Sequence, residues 1–144
     1  MSGTAVELLE IGAGGGSIAR VIRGALKVGP QSAGADPGPA CYGKGGDNPT
    51  VTDADIVLGY LNPNYFLGGS QNLDIVASEG ALEEKVAKPL GMNVREAAAG
   101  IRRIVDLRMA DEVKVFGAKR GVDPQDFCLL PFGGAGAVHA ASVA

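Results

Sequence analysis

The spacing of hydrophobic positions changes along the chain, from short apolar runs near the N-terminus to a helical period further on. Apolar runs at 5–11, 18–22 and 25–28 have the length of strands. The second and third runs flank Arg23 and Gly24, a pair that is typical of a β-hairpin turn. In the middle of the chain, apolar positions recur every three to four residues, as in amphipathic helices. Strands followed by helices predict an α/β fold.

The first predicted helix runs from residue 52 to residue 61. Thr52 is a suitable N-cap, and Asp53 and Asp55 lie in the first turn, where negative charge is favourable. Capping accounts for Thr52 and both aspartates, and a metal-binding or general-base role for these residues is the alternative. Both interpretations stay open at this point.

Two further helices are predicted at about 74–87 and 94–119. The second of them follows an Asn-x-x-Glu sequence, Asn93 to Glu96, that is close to a capping box. Gly121 provides its stop, and small residues near its beginning indicate close packing against another element. Its arginines are expected mostly on the polar side of the helix: Arg102, Arg103 and Arg108.

The last segment combines an apolar run, a glycine turn and a short helix. Residues 127–130 are long enough for a buried strand, and residues 138–144 are small and compatible with a helix. The turn between them contains Gly133, Gly134, Ala135 and Gly136. Glycines let the backbone approach an anion, and a helix N-terminus presents unpaired N–H groups to it. The pattern predicts either a nucleotide or anion site or a tight turn without a ligand.

Glycine clusters also shape two earlier loops. One lies before the hairpin and comprises Gly14, Gly15, Gly16 and Ser17. This run is either a bulge between strands or a loop of N–H groups facing an anion. The other, at 29–46, is long and irregular, and its three prolines restrict the backbone. Within it, Asp36 precedes a proline, and its carboxylate either stabilises a turn or is held toward a ligand.

Composition limits the class of protein and its partners. With 46% hydrophobic and 20% charged residues, the 144 residues suffice for one domain with a core. The net charge is −3 and the basic residues form no patch, so nucleic acid is not expected as a partner. The sequence shows no leader pattern and no run of about 18 apolar residues, which predicts a cytoplasmic location without membrane contact. Two isolated cysteines and a single histidine exclude a Cys/His zinc site.

Four segments carry a more specific signal when they are taken together. They are GAGGGSIA at 12–19, VGPQSAGADPGPACYG at 28–43, PTVTDA at 49–54, and FGGAG at 132–136 with His139 behind it. In order and spacing, they resemble the hydantoinase A/oxoprolinase family. This family includes the A component of the ATP-hydrolysing N-methylhydantoinase, the 5-oxoprolinases and the acetone carboxylase β subunit. The chain departs from the family pattern at Asp55, where asparagine is common, and at Ala137, where proline is frequent.

The resemblance implies part of an actin-like (ribonuclease H-like) ATPase domain, with an incomplete sheet packed by helices over residues 1–144. It divides them into strands and a shaped loop at 5–50, a helical region at 52–120, and a strand, glycine turn and truncated helix at 127–144. It implies ATP and Mg2+ as cofactors, with the turn at 133–136 on the adenosine side of the nucleotide and the 14–17 turn as a second binding element. The catalytic candidates that it implies are Asp36, Asp53 and His139. No metal ligand is predicted within the chain.

The family chemistry implies that ATP phosphorylates the oxygen of a cyclic amide or imide, so that water can open the ring. In the carboxylase members, phosphorylation activates the ketone or bicarbonate instead. The expected partners are the rest of the hydantoinase A-type polypeptide and a hydantoinase B-type subunit. The Asp-x-Gly-Gly-Thr phosphate loop of the family is not in the sequence, so the chain alone is expected not to hydrolyse ATP. The alternative is a structural module that self-associates into a homo-oligomer.

Overall fold

The computed structural model of the protein describes residues 10–144, and it begins with an antiparallel hairpin. Strand β1 (Ser17–Ile22) pairs with strand β2 (Ala25–Ser32), and Ala19 lies opposite Val28. The turn between the strands places Arg23 and Gly24 at positive φ, as a tight hairpin turn requires. The predicted hairpin is therefore confirmed. The strand predicted at 5–11 lies mostly outside the described residues.

The hairpin is longer than its sequence pattern predicts. Strand β2 continues to Ser32, and a bulge between Ser17 and Ala19 brings Ser17 opposite Ser32. The irregular loop therefore begins at residue 33 rather than at 29. It contains a short 3-10 turn, Ala40–Tyr42, beside the start of the first helix.

Five α-helices follow within the described residues. They are α1 (Val51–Val57), α2 (Ile75–Leu82), α3 (Lys88–Leu90), α4 (Val94–Lys119) and α5 (Ala135–Val143). A π-helical turn, Glu83–Ala87, joins α2 to α3 without a break, and Asp74 caps α2. Short 3-10 turns lie at Leu67–Gly69 and Pro124–Asp126. The helices predicted at 74–87 and 94–119 are confirmed.

Capping boxes set the beginnings of α1 and α4. The predicted box at Asn93 and Glu96 is present, with both hydrogen bonds made. The N-cap predicted at Thr52 is wrong, because Thr50 is the cap, and the amide of Thr50 donates in turn to the carboxylate of Asp53 at 2.9 Å. Helix α1 also ends four residues before the predicted end, since Gly59 turns the chain at a φ of +85°.

Packing of α1 and α4 against the hairpin and the α2 segment forms the main core. Small residues at the beginning of α4, Ala97 and Ala98, are fully buried there. This close contact was expected from the sequence, because small side chains let helix backbones approach one another. The core members are Ala19, Val28, Val51, Ala54, Leu82, Val86, Ala87, Ala97, Ala98, Ile101 and Val105.

The segment after α4 differs from its prediction. Residues 127–130 were expected to form a buried strand, but they are exposed and belong to no strand. Leu130 is 83% exposed, and Phe132 beyond it is 88% exposed. The pattern is that of a strand, but no strand of the described residues lies beside it to complete the pairing. Helix α5 also begins at Ala135, three residues earlier than predicted, because Ala135 and Gly136 adopt helical conformation.

A two-stranded antiparallel sheet packed by helices is thus the architecture of residues 10–144. The α/β class is confirmed, and no parallel strand is found among these residues. None of the described helices combines the length and the apolar character that a membrane crossing requires.

Candidate functional site

Asp53 accepts five hydrogen bonds in the buried space between α1, α2 and the shaped loop. Its Oδ1 atom accepts from the amide of Cys41 at 2.8 Å and from the hydroxyl of Ser78 at 2.6 Å. Its Oδ2 atom accepts from the amide and the hydroxyl of Thr50, at 2.9 and 2.8 Å, and from the amide of Ala40 at 3.2 Å. The carboxylate therefore joins three segments that are distant in sequence.

The position of Asp53 favours a structural function, because these donors occupy both of its oxygens and it has no exposed surface. The catalytic role expected from sequence stays a prediction. The neighbouring Cys41 thiol is also buried, and burial together with the nearby Asp53 carboxylate raises its pKa. A thiol with a raised pKa is a poor nucleophile, so Cys41 acts as a small packed side chain.

Asp36 lies in an exposed part of the shaped loop. The amide of Gly38 donates to the carbonyl of Ala33 at 3.2 Å and closes the loop around it. Within residues 10–144, no hydrogen bond or ion pair engages the carboxylate of Asp36. Among the described residues the carboxylate therefore makes no polar contact that supports the fold, and the catalytic role expected for Asp36 from sequence stays a prediction.

The turn at 14–17 is closed by its own polar groups. The amide of Ser17 donates to the carbonyl of Gly14 at 3.0 Å, and the amide of Gly14 donates to the Ser17 hydroxyl at 3.1 Å. The carbonyl of Gly15 accepts from the amide of Thr52 at 2.9 Å, and a Cβ on Gly15 would lie 2.6 Å from Thr52 Oγ1. These contacts explain why residue 15 is a glycine: the turn and α1 approach each other too closely there for a side chain.

We expect Gly15→Ala to lower the free energy of unfolding by about 1–3 kcal/mol, since the added methyl collides with a buried, rotamer-restricted Thr52. Gly14→Ala is the matched control, because a Cβ there meets nothing within 4 Å. Urea denaturation of both variants measures the difference. Equal midpoints for the two variants would show that the turn does not depend on this contact.

The turn at 133–136 is open, in contrast to the earlier one. Added Cβ atoms on Gly133, Gly134 and Gly136 would meet nothing within 4 Å. Gly134 is the N-cap of α5, and no side chain accepts a hydrogen bond from the first amides of the helix. Gly133 has a φ of +83°, which directs the chain into the helix. Of the two glycine turns, this one leaves its backbone accessible to a ligand.

A group of charged side chains lies behind this turn, and we call it the charged cluster: Asp55, Arg102 and His139, which are buried, and Asp106, which is partly buried. Arg102 Nη1 lies 2.6 Å from Asp55 Oδ1, and His139 Nδ1 lies 2.6 Å from Asp106 Oδ1. His139 Nε2 lies 3.2 Å from Asp55 Oδ2, a contact that does not meet the geometry of a hydrogen bond. Helices α1, α4 and α5 each contribute at least one member.

Arg102 also holds α5 directly. Its Nη2 atom donates to the carbonyl of Val138 at 2.8 Å, and its Nε atom lies 3.5 Å from Asp106 Oδ2. The ring of Tyr60 lies 3.7 Å from the guanidinium carbon. Arg102 was expected on the polar side of α4, and this prediction is wrong, because the side chain is buried among these groups.

Burial on its own lowers the pKa of His139. The close negative charge of Asp55 and the hydrogen bond to Asp106 outweigh this effect and hold the pKa of His139 above its ordinary value. His139 is fully buried, so its ring faces the two carboxylates rather than solvent. The catalytic role expected for it from sequence stays a prediction.

Three members of the charged cluster were not predicted as a site from sequence. Arg102 and Asp106 are four residues apart on α4, which is a local signal for an ion pair. Asp55 and Arg102 are 47 residues apart, and no local pattern connects them. Across residues 10–144, no group of three or more His, Cys, Asp or Glu side chains is arranged to hold a metal ion.

Comparisons with known proteins give a consistent result. Residues 2–144 match the family described as hydantoinase/oxoprolinase. The acetophenone carboxylase gamma subunit of Aromatoleum aromaticum is 51% identical over 142 residues, which are 97% of this chain and 19% of that protein. The alpha subunit of the caprolactamase of Pseudomonas jessenii is 50% identical over 93% of this chain and 19% of its own length.

A crystal structure of the ATP-dependent caprolactamase from the same organism superimposes with a TM-score of 0.83. It is 50% identical to the chain, and the match covers 91% of this chain and 19% of that one. The chain therefore spans about one fifth of the length of the curated relatives it matches.

Proposed function

The chain belongs to the hydantoinase/oxoprolinase family, and on that premise we propose that it forms a partial domain of an ATP-dependent enzyme that acts on a cyclic amide or imide. In this proposal it supplies the turn at 133–136 as the adenosine-side wall of an actin-like ATP site. The shaped loop with Asp36 lies toward the substrate. Support comes from a relative described as an ATP-dependent caprolactamase, which matches nearly the whole chain.

The open turn at the beginning of α5 is the observation that carries this proposal. A helix N-terminus offers N–H groups and a favourable dipole to a phosphate or to the polar edge of a nucleotide. The 14–17 turn is less suited to this function, because its carbonyls and amides already form hydrogen bonds with α1 and within the turn. We therefore assign nucleotide contact to Gly133, Gly134, Ala135 and Gly136 first, and only secondarily to Gly14, Gly15, Gly16 and Ser17.

Phosphorylation suits substrates of this kind, because an amide oxygen is a poor leaving group and its phosphate ester is a good one. Positioning and charge neutralisation then carry most of the catalysis. Asp36 is our candidate for the group that meets the substrate or the attacking water, since its carboxylate is exposed and unengaged within the described residues. Mg2+ would accompany the ATP, but we assign no ligand for it to this chain, given the absence of a metal-binding group among residues 10–144.

An exposed apolar surface supports a place within a larger assembly. Phe127, Leu129, Leu130 and Phe132 project from one extended segment. The two relatives described above are named as subunits, and we propose that the rest of the hydantoinase A-type polypeptide covers this segment. A hydantoinase B-type subunit would be the second partner. The same surface favours one alternative, a structural module that pairs with copies of itself.

Exchange of the matching segment tests the proposed function. We expect a caprolactamase complex whose alpha subunit carries these 144 residues in place of its own to retain ATP-dependent lactam hydrolysis. The isolated 144-residue chain should hydrolyse no ATP. Steady-state measurements of phosphate release and lactam opening, each with and without Mg2+, check both expectations.

Two variants of the exchanged segment separate the nucleotide site from the substrate site. Gly136→Val should raise the KM for ATP about tenfold or more, which corresponds to about 1.4 kcal/mol of lost binding, because a side chain would fill the open space before the turn. Ala141→Val, on an exposed part of α5, is its control. Asp36→Asn should abolish lactam opening. An unchanged KM in Gly136→Val, or robust ATPase activity of the isolated chain, would contradict the proposal, and a stable homo-oligomer with an inactive exchange would favour the alternative.

A further inference from the structure

With both carboxylates ionised, the charged cluster is electrically balanced only when His139 is protonated. Asp55 and Asp106 carry two negative charges when ionised, and Arg102 supplies one permanent positive charge. A neutral His139 would leave one negative charge uncompensated in a space from which water is largely excluded. Burial of an unpaired charge is costly, so the surroundings favour a second cation at His139.

The geometry of the ring leads to the same conclusion by an independent route. Nδ1 faces Asp106 at 2.6 Å and Nε2 faces Asp55 at 3.2 Å. A neutral imidazole has one N–H group and one lone pair, so one of its nitrogens would direct a lone pair at an anionic oxygen. Only the imidazolium presents N–H groups to both carboxylates.

We propose that His139 is a positioning residue: a buried imidazolium, held between Asp55 and Asp106, that fixes α5 and the glycine turn before it against α1 and α4. His139 lies three residues after Gly136, so its contacts with the two carboxylates hold the second turn of a nine-residue helix. Arg102 reinforces it through the carbonyl of Val138. In this proposal a positioning role replaces the catalytic role expected for His139.

The groups that face His139 define how it responds to pH. They are Asp55 from α1 and both Asp106 and Arg102 from α4, with Tyr60 lying against Arg102. The folded-state pKa of His139 lies above that of the unfolded chain, which is about 6.5. The stability that protonation contributes is therefore present in full below that pH, and it is lost as the pH rises through the raised pKa.

Nitrogen NMR of the imidazole ring tests the protonation state directly. The protein contains one histidine, so ¹⁵N labelling gives signals from this ring alone. We expect both ring nitrogens to show imidazolium chemical shifts at pH 7, with a titration midpoint above the ordinary value for histidine. Signals of a neutral ring at pH 7 would overturn the inference, and this measurement needs no variant.

A variant of the facing carboxylate tests the positioning role. Asp106→Asn should move the His139 midpoint downward by about 1–2 pH units, and the amide signals of Gly134 and Gly136 should then shift as the ring deprotonates. Asp111→Asn, at an exposed position on the same helix, should leave the midpoint and the glycine amides unchanged. Asp106→Glu keeps the carboxylate, so it should restore the raised midpoint of His139 and the original amide signals of Gly134 and Gly136. Glycine amides that do not follow the His139 titration would contradict positioning, even if the ring is cationic.

The positioning of a nucleotide-binding turn rests on the proposed function, but the protonation of His139 does not. An imidazolium in NMR together with an inactive segment exchange would refute the proposed function alone. A neutral ring together with an active exchange would refute this inference alone. If Asp106→Asn does not fold, Asp55→Asn provides the same comparison from the other side of the ring.

Discussion

Asp53→Ala is expected to lower the free energy of unfolding by about 3–5 kcal/mol, because it leaves several buried donors without an acceptor. The amides of Cys41 and Thr50 and the hydroxyl of Ser78 belong to buried residues, so water could not replace the carboxylate. Loss of Asp53 therefore affects the shaped loop, α1 and α2 at the same time. Urea denaturation followed by circular dichroism measures the change.

Asp47→Ala is the matched control, since Asp47 also accepts a hydrogen bond but lies at the surface beside Lys85. Its removal should leave the unfolding midpoint nearly unchanged, as is usual for exposed ion pairs. Asp53→Asn separates the loss of hydrogen-bond acceptors from the loss of side-chain volume, because asparagine keeps one acceptor oxygen and nearly the same volume. If Asp53→Ala were no more destabilising than Asp47→Ala, the structural function of Asp53 would be refuted.

Local signals accounted for much of the fold. The capping box at Asn93 and the stop at Gly121 each depend on residues that are close in sequence, so both ends of the long helix could be predicted to within a residue. Thr50 and Thr52 were harder to distinguish, because both are suitable caps. The decisive feature is the spacing from Thr50 to Asp53, three residues later, which lets each side chain reach the other's backbone amide.

Residues 127–130 show where the local pattern was insufficient. Their apolar character indicates a strand buried on both faces, but a strand also requires a hydrogen-bonded neighbour. A local apolar pattern does not show whether such a neighbouring strand is present. Of the glycine turn that follows, Gly133 and Gly134 precede the helix as predicted, whereas Ala135 and Gly136 already belong to α5.

The charged cluster could not be predicted because its members are brought together by the tertiary fold. His139 and Asp106 are 33 residues apart, and Asp55 lies on a different helix from either. Amphipathic periodicity assigned Arg102 to the polar side of α4, where its neighbour Arg103 does lie exposed. Packing of α1 and α5 across that side turned a polar position into a buried one.

Arg102→Met is expected to cost about 3–5 kcal/mol of unfolding free energy, since it removes the permanent cation from a buried pair. Asp55 and Asp106 would then share a single counterion, His139, and the carbonyl of Val138 would lose its donor. Methionine retains much of the volume and flexibility of the arginine stem, so the change reports charge and hydrogen bonding more than lost packing. Urea denaturation at pH 7 measures it.

Arg103→Met is the control, because Arg103 is the exposed neighbour on the same helix. Combination of Arg102→Met with Asp55→Asn should give a protein more stable than Arg102→Met alone, since the second change removes the charge that the first leaves unpaired. The sign of this double-mutant coupling distinguishes an electrostatic cluster from a packing contact. In a packing contact the double variant would be no more stable than Arg102→Met alone, and α5 would be held by the shape of the side chains instead of by their charge.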